Sequence, residues 1–143
     1  MFLLLRRRHC PPPQPSRLAA RLEQHALALA AEHGVELVYR GRGLAYRRLR
    51  RVTVPPIRGR MSCLVALHEL GHVAGPNPRL RLEQEVAAWQ WALAHTIVEP
   101  TQANYRSVAR ALDSYRLRAG RRRGMRTPPA FLAYLEHVRA LAG

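Results

Sequence analysis

The sequence predicts an α+β domain: an N-terminal helix, a small, mostly antiparallel sheet of two or three strands, a helix carrying His68-Glu69-Leu70-Gly71-His72, and three following helices. Three observations lead there. Apolar residues recur at helical spacing between Leu18 and Ala30. Short alternating runs punctuated by glycine and proline occupy residues 35–54. From Arg60 the helical period returns and continues, interrupted by turns, to about Ala140.

Taken in order, residues 1–16 read as a disordered basic and proline-rich tail, because Pro11-Pro12-Pro13-Gln14-Pro15 suits neither a helix nor a central strand. Residues 17–143 read as one domain, a length that can bury a real core. Ser16 is an N-cap for a helix to about His33, with Leu18, Leu22, Ala26, Leu29 and Ala30 on its apolar face and Gly34 ending it. Val35–Tyr39 reads as a strand, Gly41-Arg42-Gly43 as a turn, and Leu44-Ala45-Tyr46 as the returning strand. Arg50–Val54 reads as a further strand closed by Pro55-Pro56.

A helix then runs from Arg60 to about Ala74, with Leu64, Leu67, Leu70 and Ala74 turned inward, and Gly75-Pro76-Asn77-Pro78 stops it. Later helices are expected over about Leu80–Val98, from Pro100 to about Arg118, and from the Thr127-Pro128 cap through Ala140. Gly120-Arg121-Arg122-Arg123-Gly124 reads as a basic loop between the last two.

The charge balance is unusual. The 24 basic residues are all arginine and face 9 acidic ones, for a net charge of +15. Such a charge draws a protein toward nucleic acid, anionic membranes or acidic proteins. Arginine-only usage with abundant Ala, Leu, Pro and Gly is also what a GC-rich coding bias produces, and the basic residues are scattered over many segments. Cys10 and Cys63 do not form a disulfide framework or a Cys-x-x-Cys pair. The apolar run Phe2–Leu5 is too short, and precedes its charges, so it is not a signal peptide; no segment approaches membrane-spanning length. A cytoplasmic protein without a membrane partner is expected.

His68-Glu69-Leu70-Gly71-His72 carries the chemistry. Positions i and i+4 of a helix share a face, so both imidazoles can reach one metal ion, and the glutamate after the first projects beside it to take a proton from water. A catalytic zinc ion needs three protein ligands and an open position. Glu83 and Glu85 are the nearest candidates for the third, beyond a turn that folds their helix back on the motif. Glu85 is favoured because Ala88, Trp89 and Ala92 put its face toward the core, where a carboxylate needs a cation. Glu83 suits a solvated position or one that orients a ligand histidine. His9, His25, His33, His95 and His137 lack such neighbours, and Cys63 reads as a small core residue.

With those residues in view, the chain resembles the ImmA/IrrE-like metallopeptidases, small zincins of phages, mobile elements and bacterial genomes. The likeness rests on Leu67–His72 and on Glu85-Val86-Ala87-Ala88-Trp89-Gln90-Trp91-Ala92, and covers roughly residues 17–98. It implies a minimal zincin-like fold and a gluzincin-like site with one catalytic zinc held by His68, His72 and Glu85, and Glu69 as general base. It also implies a protein substrate of the DNA-binding repressor type. Where relatives often carry Asp or Asn four residues after the ligand glutamate, this chain has Trp89, and it carries no fused helix-turn-helix segment.

The expected activity is that of a zinc metalloendopeptidase acting on a specific intracellular protein. An extended substrate would lie antiparallel to an edge strand near Val52-Thr53-Val54, and Tyr46, Tyr105 or Tyr115 would donate to the oxyanion. The alternative is an arginine-rich nucleic-acid-associated protein with a structural or vestigial zinc site. A mixed case is a protease recruited to DNA by its charge.

Overall fold

Ser16 caps the first helix as expected, its hydroxyl accepting from the Ala19 amide at 3.1 Å. A computed structural model of the chain describes residues 14–123 and 126–143. Residues 1–13 of the expected tail, with His9 and Cys10, lie outside the described residues.

Helix α1 (Arg17–Glu32) buries Ala19, Leu22, Ala26, Leu29 and Ala30 and ends before Gly34, whose φ of +62° reverses the chain. Three short strands follow: β1 (Glu36–Tyr39), β2 (Leu44–Tyr46) and β3 (Arg51–Val54). Helices α2 (Arg60–Ala74), α3 (Arg81–His95), α4 (Gln102–Arg123) and α5 (Pro129–Ala142) complete an α+β fold. Among the described residues, no helix is long and apolar enough to cross a membrane.

The sheet departs from the expected hairpin. Its order is β1-β3-β2, with β1 parallel to β3 and β2 antiparallel to it, so the sheet is mixed and β1 and β2 do not pair. Val52 and Val54 are wholly buried against the helices, and the most apolar strand therefore occupies the centre. Val52-Thr53-Val54 is thus not an edge. The edges are β1 and β2.

Other boundaries shift for local reasons. Helix α3 stops at His95, because Thr96 takes an extended conformation (ψ 140°) and its hydroxyl donates to the Val98 carbonyl. Helix α4 starts after Thr101, not at Pro100. The Thr101 hydroxyl accepts from the Asn104 amide at 3.2 Å, and the Asn104 side chain accepts from the Thr101 amide at 2.9 Å. The helix also runs through Gly120 to Arg123, so residues 120–123 are not a loop; the glycine costs only about 1 kcal/mol in a helix interior.

Helix α2 is the hub, packed by α1, β2, β3 and α3. Its Leu64, Leu67 and Leu70 are at most 1% exposed, while Ala74 is half-buried. Cys63 is a core residue, its thiol against the Leu22 carbonyl and pushed up to about 11 by burial. The tightest approach lies between α2 and α3. A Cβ on Gly71 would stand 2.9 Å from the Ala88 carbonyl oxygen and 3.2 Å from the Trp91 Cβ. One turn later, a Cβ on Gly75 would meet the Trp91 ring at 2.8 Å. The two glycines form a notch that seats Ala88 and Trp91 and draws α3 onto the motif helix.

Because the obstacle at Gly71 is backbone, Gly71→Ala must push the helices apart. We expect a loss of about 1–3 kcal/mol of stability in denaturant unfolding, with metal affinity falling in parallel as α3 retreats.

Candidate metal centre

His68 and His72 lie one helical turn apart on the α2 face turned to α3, and Glu85 sits in the first turns of α3, wholly buried. The three side chains converge. Glu85 Oε2 is 3.1 Å from His68 Nε2, Glu85 Oε1 is 3.2 Å from His72 Nε2, and the two Nε2 atoms are 3.1 Å apart. A divalent ion with nitrogen and oxygen ligands at about 2.0–2.2 Å in tetrahedral geometry needs ligand atoms about 3.3–3.5 Å apart. The separations here are a few tenths of an ångström shorter, with one carboxylate oxygen facing each imidazole, and one ligand atom from each residue lies within 4.8 Å of the others. Among the described residues, this is the group of histidine, cysteine and carboxylate side chains able to hold a metal ion.

Electrostatics point the same way. Both Glu85 oxygens are buried without a hydrogen-bond partner, although the imidazole nitrogens are near: the ring N–H directions miss them. Burial works to raise the Glu85 carboxyl, but the two imidazoles against it prevail and hold it at about 2. Burial lowers His68, which leaves its imidazole neutral, as a ligand must be. Arg81 approaches Glu85 Oε1 at 3.5 Å, but its side chain is 61% exposed and too well solvated to neutralise a buried carboxylate. An ionised carboxylate set between two imidazoles, with neither oxygen hydrogen-bonded in a core, is a group that could hold a cation.

Glu69 follows His68 on α2 and faces a cleft of about 180 Å³ that it lines with Gly43, Ala45, His72, Arg81 and Tyr115. His72 is the least buried of the triad, at 14% side-chain exposure against 5% for His68 and none for Glu85, so the triangle opens on this side. Burial, with Glu85 nearby, pushes the Glu69 carboxyl up to about 7 against the opposing pull of His72. Gly43, just before β2, lies so close that a Cβ there would stand 3.0 Å from Glu69 Oε1. The Arg47 guanidinium donates to the His72 carbonyl at 2.9 Å and the Gly75 carbonyl at 3.4 Å, which ties the loop after β2 to the end of α2.

Sequence reasoning preferred Glu85 to Glu83, and the structure brings Glu85 to the histidines and leaves Glu83 half-buried outside the cluster. Of the three tyrosines, Tyr115 lines the cleft, Tyr46 is 42% exposed on the sheet, and Tyr105 is not in the cleft wall. Tyr115 projects from α4, and its phenol is raised by burial and by Glu85 and Glu69. Nothing in its local sequence marks it, because the α3–α4 packing that delivers it is tertiary. His95 stacks on Trp91 at 3.8 Å and its carbonyl accepts from His25. The indole of Trp89 lies 4.1 Å from the His68 ring, while His68 Nδ1 and Trp89 Nε1 both lack partners. His68 is therefore steered by stacking and not by a hydrogen bond to its outer nitrogen.

Comparison with family models, curated proteins and solved structures returns no match.

Two outcomes check the site. After dialysis against a divalent metal, wild type and Glu83→Ala should retain one ion per chain by elemental analysis, and Glu85→Ala should retain a small fraction. In metal-free protein, the Glu85 carboxyl is held below its ordinary 4.5, so its contribution to stability is complete above about pH 4.5 and is lost as the pH falls toward 2. Glu85→Gln should accordingly show a shallower loss of stability over that window in chemical unfolding.

Proposed function

We propose that the protein is a zinc-dependent metalloendopeptidase built on a minimal zincin-like domain of the ImmA/IrrE type. The observation that carries this reading is the His68–His72–Glu85 triangle with its open side beside Glu69, a carboxyl poised near 7 in a cleft bordered by the free strand β2. His68, His72 and Glu85 would hold the zinc. When bound, zinc supplies Lewis acidity, which brings the pKa of a water ligand from about 15.7 toward 7 and polarises a carbonyl.

The chain's own residues supply the rest. Glu69 accepts the proton of the attacking water and returns it to the leaving amine, a task suited to a group titrating near neutrality. The substrate backbone pairs with the outer edge of β2, since β3 is enclosed on both sides. Gly43 leaves room for that backbone beside Glu69. The Tyr115 phenol is the donor for the oxyanion. A small, one-sided cleft suits a single extended segment of a chosen intracellular protein. By the resemblance in the two motifs, a DNA-binding repressor is the class of target.

The rival reading is an arginine-rich nucleic-acid-associated protein with a structural or vestigial zinc site, and a structural site requires a fourth protein ligand. The cluster among the described residues has three.

The decisive variant is Glu69→Gln. It should bind metal as wild type does yet lose cleavage by about a hundredfold or more in a peptide-hydrolysis assay. Full activity in that variant would remove Glu69 from the chemistry and the peptidase reading with it.

A further inference from the structure

Among the described residues, helices cover one face of the sheet and none packs on the other. On the bare face, the paired positions Leu44–Thr53 and Tyr46–Arg51 place Leu44 and Tyr46 outward beside Val38, and Leu49 from the next loop adds a side chain that is 66% exposed. They floor a groove of about 520 Å³, larger than the cleft over Glu69 and able to take several side chains. Arg40, Arg42 and Arg51 rim it. Among the described residues, the ion pair on this face is Arg51 with Glu36 at 2.9 Å, which leaves Arg40 and Arg42 without a carboxylate partner. An exposed apolar floor inside a basic rim is an interaction surface.

Its chemistry selects the occupant. A second copy of the same face would set arginine against arginine across a twofold axis. Single-stranded nucleic acid would want flat rings to stack on, and the floor offers one tyrosine among aliphatic side chains. An acidic polypeptide carrying apolar side chains satisfies both rim and floor. The groove also continues into the catalytic cleft, because Leu44 lines both. A strand paired along the free edge of β2 would point alternate side chains toward the cleft and toward the groove.

We infer that the outer sheet face binds an acidic, apolar-studded polypeptide segment and, resting on the peptidase reading, that this segment belongs to the substrate.

The test uses the full chain and a short fluorescein-labelled peptide alternating glutamate with leucine, read by fluorescence anisotropy. A lysine–leucine peptide and labelled oligo-dT are the comparisons. Wild type should bind the glutamate peptide and not the lysine one. Arg40→Glu with Arg42→Glu should weaken binding about tenfold and Leu49→Ala severalfold. Reversing the exposed Arg106 and Arg110 on α4 should change it less than about twofold. Equal loss from the two arginine pairs would reduce the surface to diffuse charge and overturn the proposal. So would absence of peptide binding, or stronger oligo-dT binding lost through Arg40 and Arg42. Cleavage separates the two readings. If metal-loaded protein hydrolyses casein but does not bind the glutamate peptide, the docking surface fails alone. If the peptide binds through Arg40, Arg42 and Leu49 while no polypeptide is cleaved, the peptidase reading fails and the surface stands.

Discussion

The contact between Gly71 and the backbone of Ala88 sets the distance on which the other features of the centre rest. Two helices with ordinary side chains between them pack 8–10 Å apart, and a glutamate on one then reaches past the other instead of meeting its histidines end-on. With no Cβ at Gly71, and Trp91 seated over Gly75, α3 lies close enough for both Glu85 oxygens to stand level with both imidazole nitrogens. Gly71, the residue just before the second histidine of the motif, thus has a structural task as specific as that of the histidines. The same approach removes water from Glu85, which is why its charge needs a cation and not merely a hydrogen-bond donor.

What could be read in advance follows from the range of the physics involved. The span of α2, the N-cap at Ser16 and the inward face of α3 are local matters of period and capping, and they are found where the sequence places them. Glu85 was distinguishable from Glu83 because a helix wheel alone turns Glu85 with Ala88 and Ala92 toward the core. The sheet order was not accessible in this way. Pairing β1 with β3 in parallel, across β2, depends on which strand the helices bury most deeply, and a Gly-Arg-Gly turn between two short runs reads as a hairpin regardless. Helix α4 outlasts Gly120 for a comparable reason, since one poor helix former does not end a long helix. Placing Tyr115 in the cleft wall depends on how α4 packs against α3, which no local pattern reveals.

The arginine excess acquires a partial account. Arg50, itself in a left-handed conformation (φ 49°), points its guanidinium at the His33 and Gly34 carbonyls at the end of α1, and Arg47 does the same at the end of α2. Cations at helix C-termini satisfy unpaired carbonyls and offset the helix dipole. Part of the positive charge is therefore spent inside the fold, in one four-residue loop between β2 and β3. Among the described residues, Arg40 and Arg42 make no such contact, and they add unpaired charge to the rim of the outer groove.

The Arg47 tether has a mechanical corollary. It fastens the loop after β2 to the helix that carries both histidines, while Gly43 at the other end of β2 lies close against the Glu69 carboxyl. One wall of the cleft, β2, is thus tied to the helix that carries both histidines through Arg47 and lies against it at Gly43. In the proposed peptidase, a slot held in this way would admit a single extended strand and turn away a helix or a folded hairpin. Selection by thickness would then come before selection by side chain.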